Sequence, residues 1–563
     1  MDNTPWGDRL VAFPSGRTEH YLRSGEWSDL PTSERFRAVA RVFPDRIAVV
    51  DPDGSISYAE LDRRTDLIAA GLIELGVRRG EPVIFQVTNS VECVVAWYGF
   101  LKCGAIPVAT LASHRGHEIG YISRKVGAGT HLVDADSTKF DLVEFAREQA
   151  YDHPTMRRIV TIADTRSGLH AVRLEDLGHD IDPSEARARV EAVQATIQPT
   201  DIAVFQLSGG TTGVPKVIPR LHGEYWNNAA LYAQRLDRTK NTRVAHLAPL
   251  IHNAGVLSGL HGTHAVGGCL VLPPLETTAA LEFMARERVD DVMFGPTSFH
   301  WPDLPEYLPL AASLHTVILS GAKVPRPVFD RVQELGARVG QLFGMSEGLC
   351  TATDLGVSDH IRMNYVGTVL STEDEMRVLD PGSENELADG AVGELACRGP
   401  YTIPGYFDAP EHNTIAFTSD GFYRTGDLAK IDTVDGLRLL SIEGRIKDTI
   451  NRGGEKINAE EVESLLLRHA DVLRAAVVAM PDARLGEKAC AYIVPAGRLI
   501  SLPEVQRHFD SLGVAKFKWP ERIECVDSLP ETHVGKIDKK ALRDMVRGAL
   551  TAEAESAVNA DSH

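Results

Sequence analysis

The chain has no CxxC pair and no Cys/His spacing of the metal-ligating kind, and its seven cysteines (Cys93, Cys103, Cys269, Cys350, Cys397, Cys490, Cys525) form an odd, scattered set. That pattern argues against a disulfide framework and against a zinc site, and leaves buried free thiols in a reducing compartment as the expectation. Its opening, MDNTPWGDRLVAF, lacks a basic segment followed by an apolar one, so no secretory signal is read there. Long apolar runs are missing too: the most hydrophobic window, 91–112, is broken by Glu92, Lys102 and Pro107 and makes a poor membrane span. The net charge of −19 is spread along the chain with only short basic clusters, which disfavours nucleic acid as a main partner. No segment repeats at a fixed period. A cytoplasmic protein without membrane or nucleic-acid partners is expected.

What is present is an ordinary globular composition, 43% hydrophobic and 24% charged, in a chain of 563 residues that is too long for one core. From about 33 to 290, helix-like and strand-like segments alternate. Ser57 opens an amphipathic run to Leu75, Pro82–Val87 reads as a strand, and Cys93–Lys102 reads as a helix. Such alternation predicts an α/β fold with a largely parallel sheet. Between about 390 and 445 the text turns Gly-rich with short β-like runs. After Gly444 a compact pattern begins: a helix from about Ala459 to His469, strands near 474–480 and 489–495, and a helix near 502–511. The expected division is a large domain over 1–445, a small one over 446–548, and a frayed, disordered Ala/Glu/Ser-rich tail over 549–563.

One loop stands out chemically. SGGTTGVPK, at 208–216, follows the strand-like run Ile202–Leu207. Gly209, Gly210 and Gly213 permit positive φ and close backbone approach, so successive N–H groups can converge on one anion. Ser208, Thr211 and Thr212 add hydroxyl donors, and Lys216 adds a charge. The spacing is not that of a Walker loop, because the lysine follows Pro215 and no G-x-x-x-x-G-K-[ST] occurs. Taken alone, a mobile glycine-rich surface loop is the commoner outcome.

Four further segments change that balance: Gly344-Met345-Ser346-Glu347, Tyr423-Arg424-Thr425-Gly426-Asp427, Gly444-Arg445-Ile446-Lys447-Asp448 and Gly535-Lys536-Ile537-Asp538. In this order the five segments resemble the motifs of the adenylate-forming superfamily, over roughly 30–545. The resemblance implies a large adenylate-forming domain, with two α/β subdomains and a small β-barrel-like one, and a small mobile α+β C-terminal domain. It also implies the reaction: a carboxylate attacks the α-phosphorus of ATP, with Mg2+, giving an acyl-adenylate and pyrophosphate. Both partners are anions, so the site must neutralise and align them.

The same resemblance distributes the roles. Lys536 would reach the carboxylate and α-phosphate oxygens, with His252 and Thr211 also at the reacting atoms. Ser208, Gly209, Gly210, Thr211, Thr212, Gly213 and Lys216 would hold the phosphates. Gly321, Ala322, Lys323 and Phe343 would line the adenine, Asp427 and Arg445 would take the ribose, and Gly344, Met345 and Lys456 would also belong to the ATP site. Glu347 would hold Mg2+, although a glutamate after a serine also reads as an ordinary helix start. Lys447 would be the hinge about which the small domain turns, exchanging Lys536 for the loop that carries Lys456.

The acid is read at Ile251-His252-Asn253-Ala254-Gly255-Val256-Leu257-Ser258. Amino-acid-activating relatives usually carry Asp where Asn253 stands, so the substrate should lack an α-amine. His252-Asn253, together with VIPR (217–220) and INRGGEKINAEEVE (450–463), resembles the aryl-acid AMP ligases of siderophore assembly, which activate 2,3-dihydroxybenzoate or salicylate. The implied pocket comprises Asn253, Ala254, Ser258, Gly321, Gly348, Cys350 and Ala352. Ala254 and Ala352 stand where that group carries aromatic rings, which predicts an ortho-hydroxy aromatic acid larger than salicylate, such as a bicyclic hydroxyquinoline carboxylate. The acceptor would be the phosphopantetheine thiol of a separate aryl or peptidyl carrier protein; an aryl-CoA ligase is the alternative. A non-catalytic ATP or adenylate sensor is disfavoured by the joint presence of Lys536 and Glu347.

Overall fold

The computed structural model describes residues 6–135, 140–163, 171–208, 215–453, 455–482, 484–532 and 535–560, without the side chains of Lys456 and of residues after 553. Four sheets organise it. The first has seven strands, in the order Ala171–Arg173, Arg158–Ile162, Thr130–Asp134, Pro82–Gln86, Ile106–Val108, Ile202–Leu207 and Val217–Leu221. Every neighbouring pair is parallel except the last. The second has nine strands, with a parallel centre running from Ile47–Asp51 through Cys269–Val271, Arg243–Ala245, Asp291–Phe294 and Thr316–Ser320 to Arg338–Gly344. Antiparallel pairs close both of its edges. This is the largely parallel α/β architecture that the alternating pattern predicts, since parallel neighbours require helical crossovers.

The helix Val91–Lys102 explains why the most apolar window of the sequence is not a membrane span. Eleven of its twelve residues are buried, all but Glu92, with Trp97, Tyr98 and Phe100 in the same core cluster as the helix Tyr58–Glu74. Its one partly exposed position, Glu92, pairs with Arg64 at 2.8 Å, and the rest of the helix needs no polar face. Lys102, at its end, is fully buried and paired with Asp62 at 2.6 Å and Asp66 at 2.7 Å. Ser57 and Ser90 cap these two helices by accepting from the backbone N–H groups of Glu60 and Cys93. Among the described residues no helix is long and apolar enough to cross a membrane.

The small β subdomain takes the form of a four-stranded antiparallel sheet, Glu375–Leu379, Val392–Arg398, Tyr423–Val434 and Leu437–Arg445. Its last strand ends at Arg445; the short 3-10 turn Ile446–Asp448 follows, and a five-stranded sheet begins at Ile450. That sheet is built on the long hairpin Val472–Asp482 and Gly486–Pro495. Helices Ala459–Leu466 and Leu502–Ser511 pack on it through Val462, Leu466, Val505 and Phe509. One expectation is corrected here. The tail read as disordered from 549 onward continues the helix Lys539–Ala560, and Arg522 pairs with Glu553 at 2.7 Å. Alanine and glutamate, which lower the apolar content of that stretch, are also strong helix formers.

Candidate active site

The strands Ile202–Leu207 and Val217–Leu221 form a hairpin with Leu207 opposite Val217, so the 208–216 loop is a hairpin connection and not a strand-to-helix turn. Its neck is closed twice: Ser208 N–H donates to the Lys216 carbonyl at 3.0 Å, and Lys216 N–H donates to the Ser208 hydroxyl at 3.0 Å. Gly209, Gly210, Thr211, Thr212 and Gly213 lie outside the described residues. Lys216 stands over the Tyr406 ring at 5.7 Å.

Tyr406 leads to Glu347. Its hydroxyl donates to Glu347 Oε1 at 2.6 Å and bonds the Tyr423 hydroxyl at 2.9 Å. Glu347 is buried in the turn between the antiparallel strands Arg338–Gly344 and Cys350–Ala352, which removes the reading of an ordinary helix-start glutamate. Gly348 beside it has φ +132°, and a Cβ there would stand 1.6 Å from the Tyr401 carbonyl oxygen, so the turn admits no side chain. Among the described residues no three metal-ligating side chains gather. A divalent ion held at Glu347 would find one buried carboxylate there, and with phosphate and water oxygens beside it that donor suits Mg2+.

Asp427 and Arg445 face each other across two adjacent strands and pair at 2.8 Å. Burial raises the Asp427 carboxyl above its ordinary value; Arg445 and Lys536 pull it down and Glu347 pushes it up. Lys536 is exposed. The protein around it desolvates the ammonium and, with Arg445 beside it, holds its pKa below the ordinary lysine value. The His252 imidazole is pushed down to about 4 by burial and by the charge of Lys536, and is neutral near pH 7. The Ala254 N–H donates to its Nδ1 at 3.3 Å, which places the ring proton on Nε2. The groups of Lys536, Asp427, Arg445, Glu347 and His252 thus share one electrostatic neighbourhood. Gly321, Ala322, Lys323 and Gly344 are exposed, while Phe343 and Met345 are half-buried against the small β subdomain. Lys447 lies in the short turn between the two sheets.

Sequence reasoning missed the group behind Asn253. Arg220 is fully buried, with a two-pronged pair to Glu224 at 2.8 and 2.7 Å. Its remaining donors go to Asn253 Oδ1 at 3.1 Å, to the Ser346 carbonyl at 3.1 Å and to the Tyr401 carbonyl at 3.5 Å. Asn253 Nδ2 donates to the Met345 carbonyl at 3.2 Å. The Asn253 carbonyl is therefore committed to the protein, and what it can offer a ligand is its second amide hydrogen. The hydroxyl of Ser258 donates to the Ala254 carbonyl at 2.6 Å, inside the π-helical stretch Gly255–His261. Its hydrogen is committed as well, which narrows its part to that of an acceptor. Cys350 and Ala352 are buried on one face of their strand with Leu257 and Leu342, and burial raises the Cys350 thiol to about 12. The sequence signal for Arg220 was the VIPR segment, which marked the resemblance without giving the arginine a partner.

Residues 36–407 match the AMP-binding enzyme family, and residues 461–536 match the AMP-binding enzyme C-terminal domain. The chain is 38% identical to pyochelin synthase PchD of Pseudomonas aeruginosa (strain UCBPP-PA14), over 97% of this chain and 98% of that protein. It is 36% identical to the 2,3-dihydroxybenzoate-AMP ligase of Bacillus subtilis (strain 168), over 98% of each chain. The apo structure of Mycobacterium smegmatis MbtA superposes with a TM-score of 0.71 at 35% identity, covering 95% of this chain and 98% of that one.

Proposed function

The chain belongs to the AMP-binding enzyme family, and from that premise we propose that it is an aryl-acid–AMP ligase that loads a carrier protein. It activates an aromatic carboxylic acid with ATP: a carboxylate oxygen bonds to the α-phosphorus, the bond from that phosphorus to the bridging oxygen breaks, and pyrophosphate leaves. The carrier's phosphopantetheine thiol then attacks the acyl carbonyl, AMP departs, and a thioester forms. The observation that carries the reading is the convergence of Lys536, His252, Asp427, Arg445 and Glu347, drawn from both domains, on one charged cleft.

In this reading Lys536 neutralises the carboxylate and α-phosphate oxygens as charge builds there. Neutral His252 donates from Nε2 to the same region without adding a competing charge. Asp427 and Arg445 hold the ribose hydroxyls. Glu347, fixed by Tyr406, would hold Mg2+, which when bound offsets phosphate charge. The 208–216 loop takes the outer phosphates, its neck fixed by Ser208 and Lys216. Lys447 is the hinge between the two half-reactions.

The acid itself lacks an α-amine. An ammonium beside Asn253 would meet no carboxylate there, and the guanidinium of Arg220 lies directly behind the amide, so like charges would face each other. An aromatic acid with an ortho oxygen can accept the free Asn253 amide hydrogen instead. The two alanines, Ala254 and Ala352, favour a ligand larger than salicylate.

The test is carboxylate-dependent ATP–pyrophosphate exchange across salicylate, 2,3-dihydroxybenzoate, hydroxypicolinate and hydroxyquinaldate, with Lys536→Ala as control. Exchange with an aryl acid, lost at least about 100-fold in the variant, is the expected result. Exchange with none of them overturns the aryl reading. Salicylate turnover far above every bicyclic acid overturns the size argument alone.

A further inference from the structure

The phenol of Tyr232 is fully buried, and its hydroxyl has no hydrogen-bond partner. Tyr232 sits on the helix His222–Arg235. It shares one apolar cluster with Leu257, Leu342, Cys350 and Ala352, so it stands among the residues that the resemblance makes walls of the acid pocket. Arg238 lies over its ring at 5.1 Å and donates to the Ser258 carbonyl, which ties the same spot to a third pocket residue. Arg238 also makes a two-pronged pair with Asp291 at 2.7 and 2.9 Å, and neither group bonds the phenol. A buried hydroxyl without a partner costs stability, and buried polar groups in native proteins are nearly always satisfied. A partner absent from the protein alone would resolve that cost.

We propose that Tyr232 is a specificity-determining residue whose hydroxyl donates to an acceptor on the far ring of the aromatic acid, an oxygen or a ring nitrogen remote from the carboxylate. The inference rests on the aryl-acid reading above and extends it to the chemistry of the second ring. Burial and Asp291 raise the phenol above its ordinary value, so it remains a neutral donor at working pH. The missing rings at Ala254 and Ala352 supply the room by which a second ring could reach that depth.

The experiment compares the full-length enzyme with Tyr232→Phe on 3-hydroxy-2-naphthoate and on its second-ring methoxy derivatives, whose ether oxygen can only accept. The expected result is a kcat/KM lower by about 10- to 100-fold for at least one methoxy acid, with the bare naphthoate unchanged. An equal loss on every acid, or no loss on any, overturns the proposal. Removing an unsatisfied hydroxyl should leave the thermal midpoint unchanged or raise it; a fall of several degrees would mean that the phenol is bonded within the protein, and would also overturn it. Calorimetric binding of the free acids separates this inference from the function it rests on. Acids that bind with Tyr232 dependence but are never adenylated refute the ligase reading and leave Tyr232 assigned. Acids that are adenylated regardless of Tyr232 do the reverse.

Discussion

Crowding a lysine with protein without fully pairing it lowers its pKa even where it still meets solvent, and Lys536 is in that position. Its ammonium is opposed by Arg445 and Lys447 and supported by Asp427 and Glu460. Because the charged form is the one that neutralises the reacting anions, activity should fall as pH rises through the lowered value. The alkaline limb of kcat/KM, which reports the free enzyme, is expected below the ordinary lysine value of 10.5. Bound ATP adds negative charge beside the ammonium and raises its pKa, so the limb of kcat should lie at higher pH. His252, at about 4, should contribute no acid limb above pH 5. Paired pH–rate profiles check both statements; two coincident limbs would mean that Lys536 does not meet the nucleotide. At this scale the sequence was legible wherever a residue sits in a short motif, as Lys536, Asp427 and Glu347 do. It was not legible for Arg220. Burying an arginine is costly without a partner, and that partner, Glu224, lies four residues away across a strand-to-helix junction that only the fold defines. Tyr232 was illegible for a related reason: a tyrosine in a helical pattern reads as core until its hydroxyl is seen to be unpaired.

Among elements, the hairpin Arg338–Gly344 with Cys350–Ala352 does two jobs. Its turn buries Glu347 against the Tyr406 hydroxyl, where the proposed reaction needs a metal ligand, and its second strand sets Cys350 and Ala352 in the apolar cluster that the same proposal makes the wall of the acid pocket. Gly348 allows both, because the Tyr401–Thr402 backbone passes where its Cβ would be. Gly348→Ala should destabilise the protein by about 2–5 kcal/mol, from overpacking plus strain at a positive φ. Gly382→Ala, at φ +85° with nothing within 4 Å, should cost only the strain. Denaturant midpoints for the two variants give the comparison, and equal midpoints would remove the steric argument. The alternating strands and helices were readable from periodicity, and Ser57 was read as the start of the helical run that it caps, whereas the cap at Ser90 went unread because the run there was started at Cys93. The π-helical stretch Gly255–His261 was not readable, because an apolar run looks the same whether its backbone bonds close at four residues or at five. The helical end of the chain was misread for a compositional reason: low apolar content argued for disorder, while Ala and Glu argued for helix.

In the proposed reaction the whole molecule must bring Lys536, on the small domain, to a nucleotide held by the large one. Gly535 marks that junction. It has φ +73°, and a Cβ there would come within 2.7 Å of Thr297 Cγ2 on the large domain. Asn458, which caps the helix Ala459–Leu466, also donates to the Glu443 carbonyl next to the hinge, so the small domain is held at two separate points. Both mark the orientation seen here, and a domain that turns about Lys447 would have to carry Gly535 away from the Thr297 surface. The sequence could suggest the rotation through its motifs but not the surface on which the domain rests, because Thr297 belongs to none. Thr297 is exposed, so a larger side chain there should leave the large domain folded and obstruct only this orientation. Thr297→Tyr should lower ATP–pyrophosphate exchange by at least about 10-fold, since a displacement of one ångström at a reacting group can cost far more. Transfer from supplied aryl-adenylate to the carrier thiol, which the proposed rotation assigns to another orientation, should stay within about twofold. Equal loss in both half-reactions would show that the domain does not leave this surface between them. Loss of transfer alone would mean that the orientation seen here belongs to the second step and not the first.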